Sequence, residues 1–291
     1  MRPLFATRRR RLLARAALYG TALFVGLPLA ASQILLGTIR QPTVAPRPPW
    51  EETTVVSEGL RLRAWMARGG EDRAAAVVVH GLGDSLESYL DSAAVLHRRG
   101  HSVLLLDLRA HGGSEGRHTT LGGREREDVR AAIAALRARG LGRRGFVLLG
   151  VSMGAVAVLR AAAEEPEVRA VVAEAPYDDY RSTIAHHARL YYGLPPWFPL
   201  IPAAIALAEW RGGFDADEVS AVEAARRMQG ALLAIVDGDD ERMPDAVVRR
   251  VYDAHPGPKR IWTAAGAPHS GATNAAGYWE TVLGFLEANG L

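Results

Sequence analysis

The stretch Gly150-Val151-Ser152-Met153-Gly154 constrains the fold of this chain more than any other. An apolar run, Phe146-Val147-Leu148-Leu149, leads into it, and a helix-forming run, Ala155 to Ala163, leads out. The pattern is strand, sharp turn, helix, with a serine at the apex. Such a turn forces the central residue into a strained backbone conformation and brings strand and helix close together. Glycines two before and two after the serine remove the side chains that would clash. The serine oxygen then stands exposed at the C-terminal edge of a sheet, with the Met153 amide beside it.

The same alternation runs along much of the chain. Thr53–Val56 and Leu60–Met66 read as two strands around a turn at Glu58-Gly59, the second alternating as an edge strand does. Ala74–Val79, Ser102–Leu106, Val168–Ala173 and Ala231–Val236 are short apolar runs that suit strands buried on both faces, and Lys259–Thr263 reads as the last strand. Amphipathic stretches lie between them, including 124–139 (stopped by Gly140) and a closing helix over 275–288. Strands alternating with helices predict a parallel sheet covered on both sides. Residues 176–230 break the rhythm and are rich in Tyr, Trp and Pro.

The N-terminus carries a different signal. Residues 1–15 hold six arginines, and 16–39 hold no charge. A helix crossing the hydrocarbon core needs about 20 apolar residues, so 16–39 is long enough, with Pro28 placed to kink it. Arginines before the segment predict a cytoplasmic N-terminus and an extracytoplasmic domain. The alternative is a cleaved signal peptide, with Ala30-Ala31-Ser32 as its site. Cleavable apolar regions usually run about 7–15 residues, so the length favours an anchor. Residues 40–50, with Pro42, Pro46, Pro48 and Pro49, read as an extended linker, and the domain is expected over 51–291. The formal net charge of +3 belongs to the N-terminus: residues 1–45 hold seven of the 35 basic residues and none of the 32 acidic ones. The remaining 28 against 32 leave no nucleic-acid footprint over the body. The chain has no cysteine, which excludes disulfides, thiol catalysis and cysteine-ligated metals.

His80-Gly81-Leu82-Gly83, Asp107-x-Arg109-x-His111-Gly112-x-Ser114, the serine turn, an Asp-rich turn at Asp237-Gly238-Asp239-Asp240 and a later His269 follow in order. Together they resemble the α/β-hydrolase superfamily over about residues 51–290, in its capped, membrane-anchored bacterial form. The resemblance implies a mostly parallel eight-stranded sheet, with 176–230 as a helical cap. It also implies a chain order of Ser, acid, His. Serine is a poor nucleophile unless a base takes its proton and a third group orients that base. Ser152 and His269 fill the first and last places.

The acid stays open between four residues. Counting back four from Pro244 reaches Asp240; counting three forward from Gly238 reaches Glu241. Asp239 is also within reach, and a variant of the fold places the acid after the preceding strand, at Glu174. The proline spacing of similar hydrolases favours Asp240, leaving Glu174 as a hydrogen-bonding group beside the site. The backbone amides of Leu82 and Met153 are the expected oxyanion donors. His80, His111 and the Asp107–Ser114 motif read as turn scaffold, and His186 and His187 as solvated cap residues.

The resemblance implies no metal and no organic cofactor. It implies a serine hydrolase acting on a carboxylic ester, with thioesterase, amidase or peptidase chemistry open to the same groups. A catalytically silent, membrane-tethered binding protein is the reading from another class. The cap run Leu190–Ala208 has no charge and includes Tyr191, Tyr192, Trp197 and Phe198. Its prolines argue against a second span. It is either core between cap and sheet, an apolar wall for an acyl group, or a face that touches lipid.

Overall fold

Eight strands form one sheet in this computed structural model, which describes residues 3–291, with side chains from Arg8 onward. They are β1 (Glu51–Ser57), β2 (Leu60–Ala67), β3 (Ala75–Val79), β4 (Val103–Leu106), β5 (Phe146–Val151), β6 (Val168–Glu174), β7 (Ala231–Asp237) and β8 (Lys259–Ala264). The spatial order is β1-β2-β4-β3-β5-β6-β7-β8. β1 and β2 pair antiparallel, as do β2 and β4, and every later pairing is parallel. Each apolar run named above is a strand. Their side chains alternate between two cores, because successive residues of a strand face opposite sides. Val77, Val79, Leu104, Leu106 and Leu148 pack on one face with α4 (Glu125–Ala138) and α5 (Met153–Ala162). Val78, Leu105 and Leu149 pack on the other with α3 (Leu90–Arg98) and α10 (Tyr278–Ala288). α10 starts at Tyr278 rather than 275, because Gly277 takes a left-handed conformation, φ 84°, that no α-helix contains.

Between β6 and β7 lies the cap: α6 (Tyr180–Tyr192), α7 (Leu200–Gly212), a 3₁₀ turn (Ala216–Glu218) and α8 (Ala221–Arg227). Asp179 caps α6 by accepting from the Ser182 N–H at 2.9 Å, and left-handed Gly193 ends it. α9 (Asp245–Ala254) follows β7 and packs on it.

The N-terminal helix runs as α1 (Pro3–Thr21), a π-helical turn (Ala22–Gly26) and α2 (Leu27–Leu36). Pro28 has no N–H, and its ring crowds the carbonyl four residues back. The backbone answers with one wide turn, in which the Leu27 N–H reaches Ala22 O. From Arg8 to Leu36 the helix is long and apolar enough to cross a membrane, and very little of it is buried. Arg2, part of the basic N-terminus, lies outside the described residues.

The helix stops at Leu36, before residue 39, and extended backbone begins at Gly37. Residues 37–50 form no helix or strand, and they lie against the domain. Thr38 Oγ1 donates to Ala110 O at 2.7 Å. The Arg40 guanidinium reaches the carbonyls of Gly112 (3.0 Å), Ser114 (2.6 Å) and Gly116 (3.0 Å). Gln41 donates to Gly83 O at 3.0 Å, in the loop after β3.

Candidate active site

β5 and α5 hold Ser152 between them at φ 53°, ψ −117°. A non-glycine residue reaches this region only under strain of roughly 1–3 kcal/mol, and only where its surroundings enforce it. The enforcement is visible in the flanking glycines. A Cβ on Gly150 would stand 2.4 Å from Gly154 O, and one on Gly154 would stand 2.4 Å from His80 O. The turn therefore closes only with glycine at both places. The Ser152 N–H donates to Glu174 O on β6 at 2.8 Å.

His269 sits in the loop after β8. Its Nε2 lies 2.9 Å from Ser152 Oγ, and its Nδ1 lies 2.6 Å from Asp240 Oδ2. Asp240 Oδ1 accepts from the Arg242 and Met243 N–H groups at 2.8 and 3.0 Å. Burial pushes this carboxyl up. The bond and charge of His269 and the two amides outweigh burial and hold it below the usual carboxylate range. An ionised Asp240 places the imidazole proton on Nδ1, which leaves the Nε2 lone pair facing the Ser152 hydroxyl.

The other acids of the turn stand elsewhere. Asp239 is exposed, and Glu241 is exposed and offers its carbonyl, not its carboxylate, to His186 Nε2 at 2.8 Å. Glu174 is buried below the loop, where Oε1 accepts from the Ala272 N–H at 3.2 Å. Burial, followed by the charge of Asp237, pushes its carboxyl up to about 8.

Asp237 was not singled out in the sequence, yet it holds the histidine loop. It accepts from the Ser270 N–H at 2.6 Å and the Ala272 N–H at 3.1 Å. Ser270 has φ 61°, so the residue after His269 is also strained and is pinned there by Asp237. Burial, opposed by the Ser270 amide and reinforced by the charge of Asp240, moves the Asp237 carboxyl up to about 6. The available signal was position alone: Asp237 ends an apolar strand at the edge where the site forms. Asp237, Asp240 and His269 bring ligand-type atoms within 4.8 Å of one another. Those atoms already serve the hydrogen bonds just described, so the cluster is accounted for without an ion.

Met153 opens α5, so its N–H is among the free donors of a helix N-terminus. Leu82 stands in the loop after β3, and the adjacent Gly81 lies against Ser152, an added Cβ there falling 3.6 Å from Ser152 Cβ. His80 is structural: Nδ1 donates to Gly81 O at 2.7 Å, Nε2 accepts from the Leu108 N–H at 3.1 Å, and burial lowers the ring to about 3. In the Asp107–Ser114 motif, Arg109 is buried against Asp128, and Asp107 accepts from the Leu86 and Gly113 amides. His187 departs from its sequence reading. It is half-buried on the site side of α6, and its Nε2 is buried without a partner among the described residues. Burial, then the charges of Arg242 and His186, lowers it to about 4.

This arrangement can raise the nucleophilicity of a hydroxyl, with the free Met153 amide of a helix N-terminus next to it. Residues 70–208 match the family model described as serine aminopeptidase, S33. The chain is 31% identical over 216 residues to the uncharacterized protein YqkD of Bacillus subtilis, covering 72% of this chain and 70% of that one. It is 28% identical over 218 residues to the uncharacterized protein Rv2307c of Mycobacterium tuberculosis, covering 73% and 69%. Its fold is similar to the esterase Pf2001 of Pyrococcus furiosus, with TM-score 0.66 and 22% identity over 84% of this chain and 96% of that one. It is also similar to acetyl xylan esterase 1 of a Thermoanaerobacterium species, with TM-score 0.63 and 18% identity over 91% and 93%. The chain belongs to the α/β-hydrolase superfamily, and that membership supports a hydrolytic function.

Proposed function

We propose that the protein is a serine hydrolase that cleaves a carboxylic ester through an acyl-enzyme. The observation that carries this reading is the line of hydrogen bonds from Ser152 Oγ through His269 to Asp240, at 2.9 and 2.6 Å. Ser152 attacks the acyl carbon while His269 Nε2 takes its proton, and Asp240 stabilises the imidazolium that forms. The tetrahedral oxyanion lies against the Leu82 and Met153 amides, each such donor contributing roughly 3–4 kcal/mol in the transition state. His269 returns the proton to the leaving alcohol, and a water repeats the sequence to free the acid. Thioester, amide and peptide substrates use the same steps, and the family model's description keeps an aminoacyl substrate in the comparison.

The test is labelling of the full chain with a fluorophosphonate, together with a panel of acyl esters, thioesters and aminoacyl anilides. Ester turnover and labelling that are both lost in Ser152→Ala support the reading. An unlabelled, inactive parent chain that is folded would instead leave a binding protein on this scaffold.

The same proposal places the N-terminal helix across a membrane, with the arginine cluster on the cytoplasmic side and the site outside. α2 stays helical through Ala30-Ala31-Ser32, and its buried Pro28, Ser32 and Leu36 straddle that point, which supports an anchor over a cleaved leader. Alkaline extraction of membranes tests it: an anchored chain stays in the pellet.

A further inference from the structure

α2 does not leave the domain at its end. Its buried stripe, Pro28, Ser32 and Leu36, faces the cap, and α7 is the helix it packs against. The two helices end together. Arg211, in the last turn of α7, donates to Ser32 Oγ at 2.7 Å and also bonds Gln33. A Cβ on Gly212 would meet the Leu36 side chain at 3.0 Å. Eight residues separate Pro28 from Leu36, a rise of about 12 Å. To cover both, the cap must run beside α2 for that distance, with the N-terminus of α7 pointing back along the membrane helix.

This has a consequence for depth. A span of about 20 residues begun at Ala16, the first residue beyond the arginines, ends near Leu35. Pro28 then lies roughly 10 Å inside the outer edge of the hydrocarbon, and the flank of the cap that covers it is at the same depth. The chemistry of that flank agrees. From Leu190 to Ala208 there is no charged residue. Of the first charges after it, Arg211 stands beside Ser32 and Gln33, level with the outer edge. The outward face of α7 is Pro202, Ala206 and Trp210, all exposed, and Trp197 in the preceding loop is 78% exposed. Tyr191 and Tyr192, at the end of α6, are exposed too. Aromatic rings of this kind concentrate at membrane interfaces.

We propose that α7 and the loop before it are a membrane-docking surface, seated in the outer leaflet of the bilayer that the N-terminal helix crosses. The occupant is lipid, since the face is continuous with the membrane helix and shares its charge boundary. α6 then links the bilayer to the site, from Tyr191 and Tyr192 to His186, which bonds the carbonyl of Glu241 beside Asp240.

The inference rests on the helix being a span, and the test separates the two. The chain has no cysteine, so a single spin label can be placed at Val25→Cys, Trp197→Cys, Trp210→Cys or Arg143→Cys in the full chain. Arg143 is exposed, before β5, at the end of the sheet opposite Ser152. In phosphatidylcholine–phosphatidylglycerol vesicles, collisions with oxygen and with a water-soluble nickel chelate report depth. Labels at 25, 197 and 210 should be broadened by oxygen and lose nickel broadening, and the label at 143 should show the reverse. Nickel access at 197 and 210 equal to that at 143, with 25 still protected, overturns docking and leaves the span. Nickel access at 25 overturns both. Dipolar broadening between labels at 197 would show that a second copy covers this face and would overturn the lipid assignment.

Discussion

Asp239, Asp240 and Glu241 are consecutive, and only Asp240 turns its carboxylate to His269. Under the proposed mechanism, Asp240→Asn keeps the shape but takes away the charge that orients the ring and stabilises the imidazolium, a change worth about 10⁴ in rate in a Ser-His-Asp triad. The expected outcome is a fall in kcat of that order at neutral pH, measured on the best ester of the panel. Asp239→Asn and Glu241→Gln, whose carboxylates are exposed, should stay within a few-fold of the parent. Glu174 acts differently. Its carboxyl, ordinarily near 4.5, is pushed up to about 8 by burial and then by Asp237. The folded protein therefore holds a proton there that the unfolded chain has already released. Stability from this group is complete below about pH 4.5 and is lost as pH rises toward 8, by up to about 1.4 kcal/mol per pH unit. Glu174→Gln removes that slope. Thermal unfolding of parent and variant from pH 5 to 9 should show the parent losing stability faster, with a residual decline in the variant from Asp237. Parallel curves would count against a protonated Glu174.

The elements that join the N-terminal helix to the domain carry the next prediction. Leu36 is fully buried at the end of a helix that is exposed over most of its length. Leu36→Ala should cost about 2–4 kcal/mol if α2 is packed against α7 as described, because a cavity replaces the side chain. A helix standing free of the cap would lose a few tenths. Unfolding of the detergent-solubilised full chain distinguishes these. Arg40→Ala removes the hydrogen bonds that tie the strap between helix and β1 to the carbonyls of Gly112, Ser114 and Gly116. With its guanidinium partly solvated, the expected loss is about 1–2 kcal/mol, or roughly 2–4 °C in Tm per kcal/mol for a domain of this size.

At the scale of the whole molecule, the N-terminal helix packs on α7 of the cap, and α6 of the cap reaches the Glu241 carbonyl beside Asp240. Docking and catalysis are then separable by substrate. Trp197→Asp places a charge in the docking face, away from the site groups. It should slow hydrolysis of a long-chain ester held in vesicles while leaving a short, water-soluble ester at the parent rate. Equal losses on both substrates would mean that Trp197 matters to the site itself. An unchanged vesicle rate would mean that substrate does not arrive through lipid at this face.

The alternation of apolar runs and amphipathic stretches determined the sheet, its parallel half and the cap insertion. Burial on both faces of a central strand leaves a local mark in composition, and so does a turn that tolerates only glycine around its serine. Ser152 and His269 were legible for the same reason: each sits in a short motif whose constraints are local. The acid was narrowed to four residues, because spacing along a turn resolves position no better than one residue. Only the fold chose the geometry, through the Asp239 N–H bonding Ala267 O and the Asp240 N–H bonding Asp237 O, which rotate Asp240 toward His269. The clamp by Asp237, the inward turn of His187, the strap at 37–50 and the packing of α2 on α7 were equally out of reach. Each joins residues distant in sequence, and no periodicity or motif records which surfaces meet once the chain has folded.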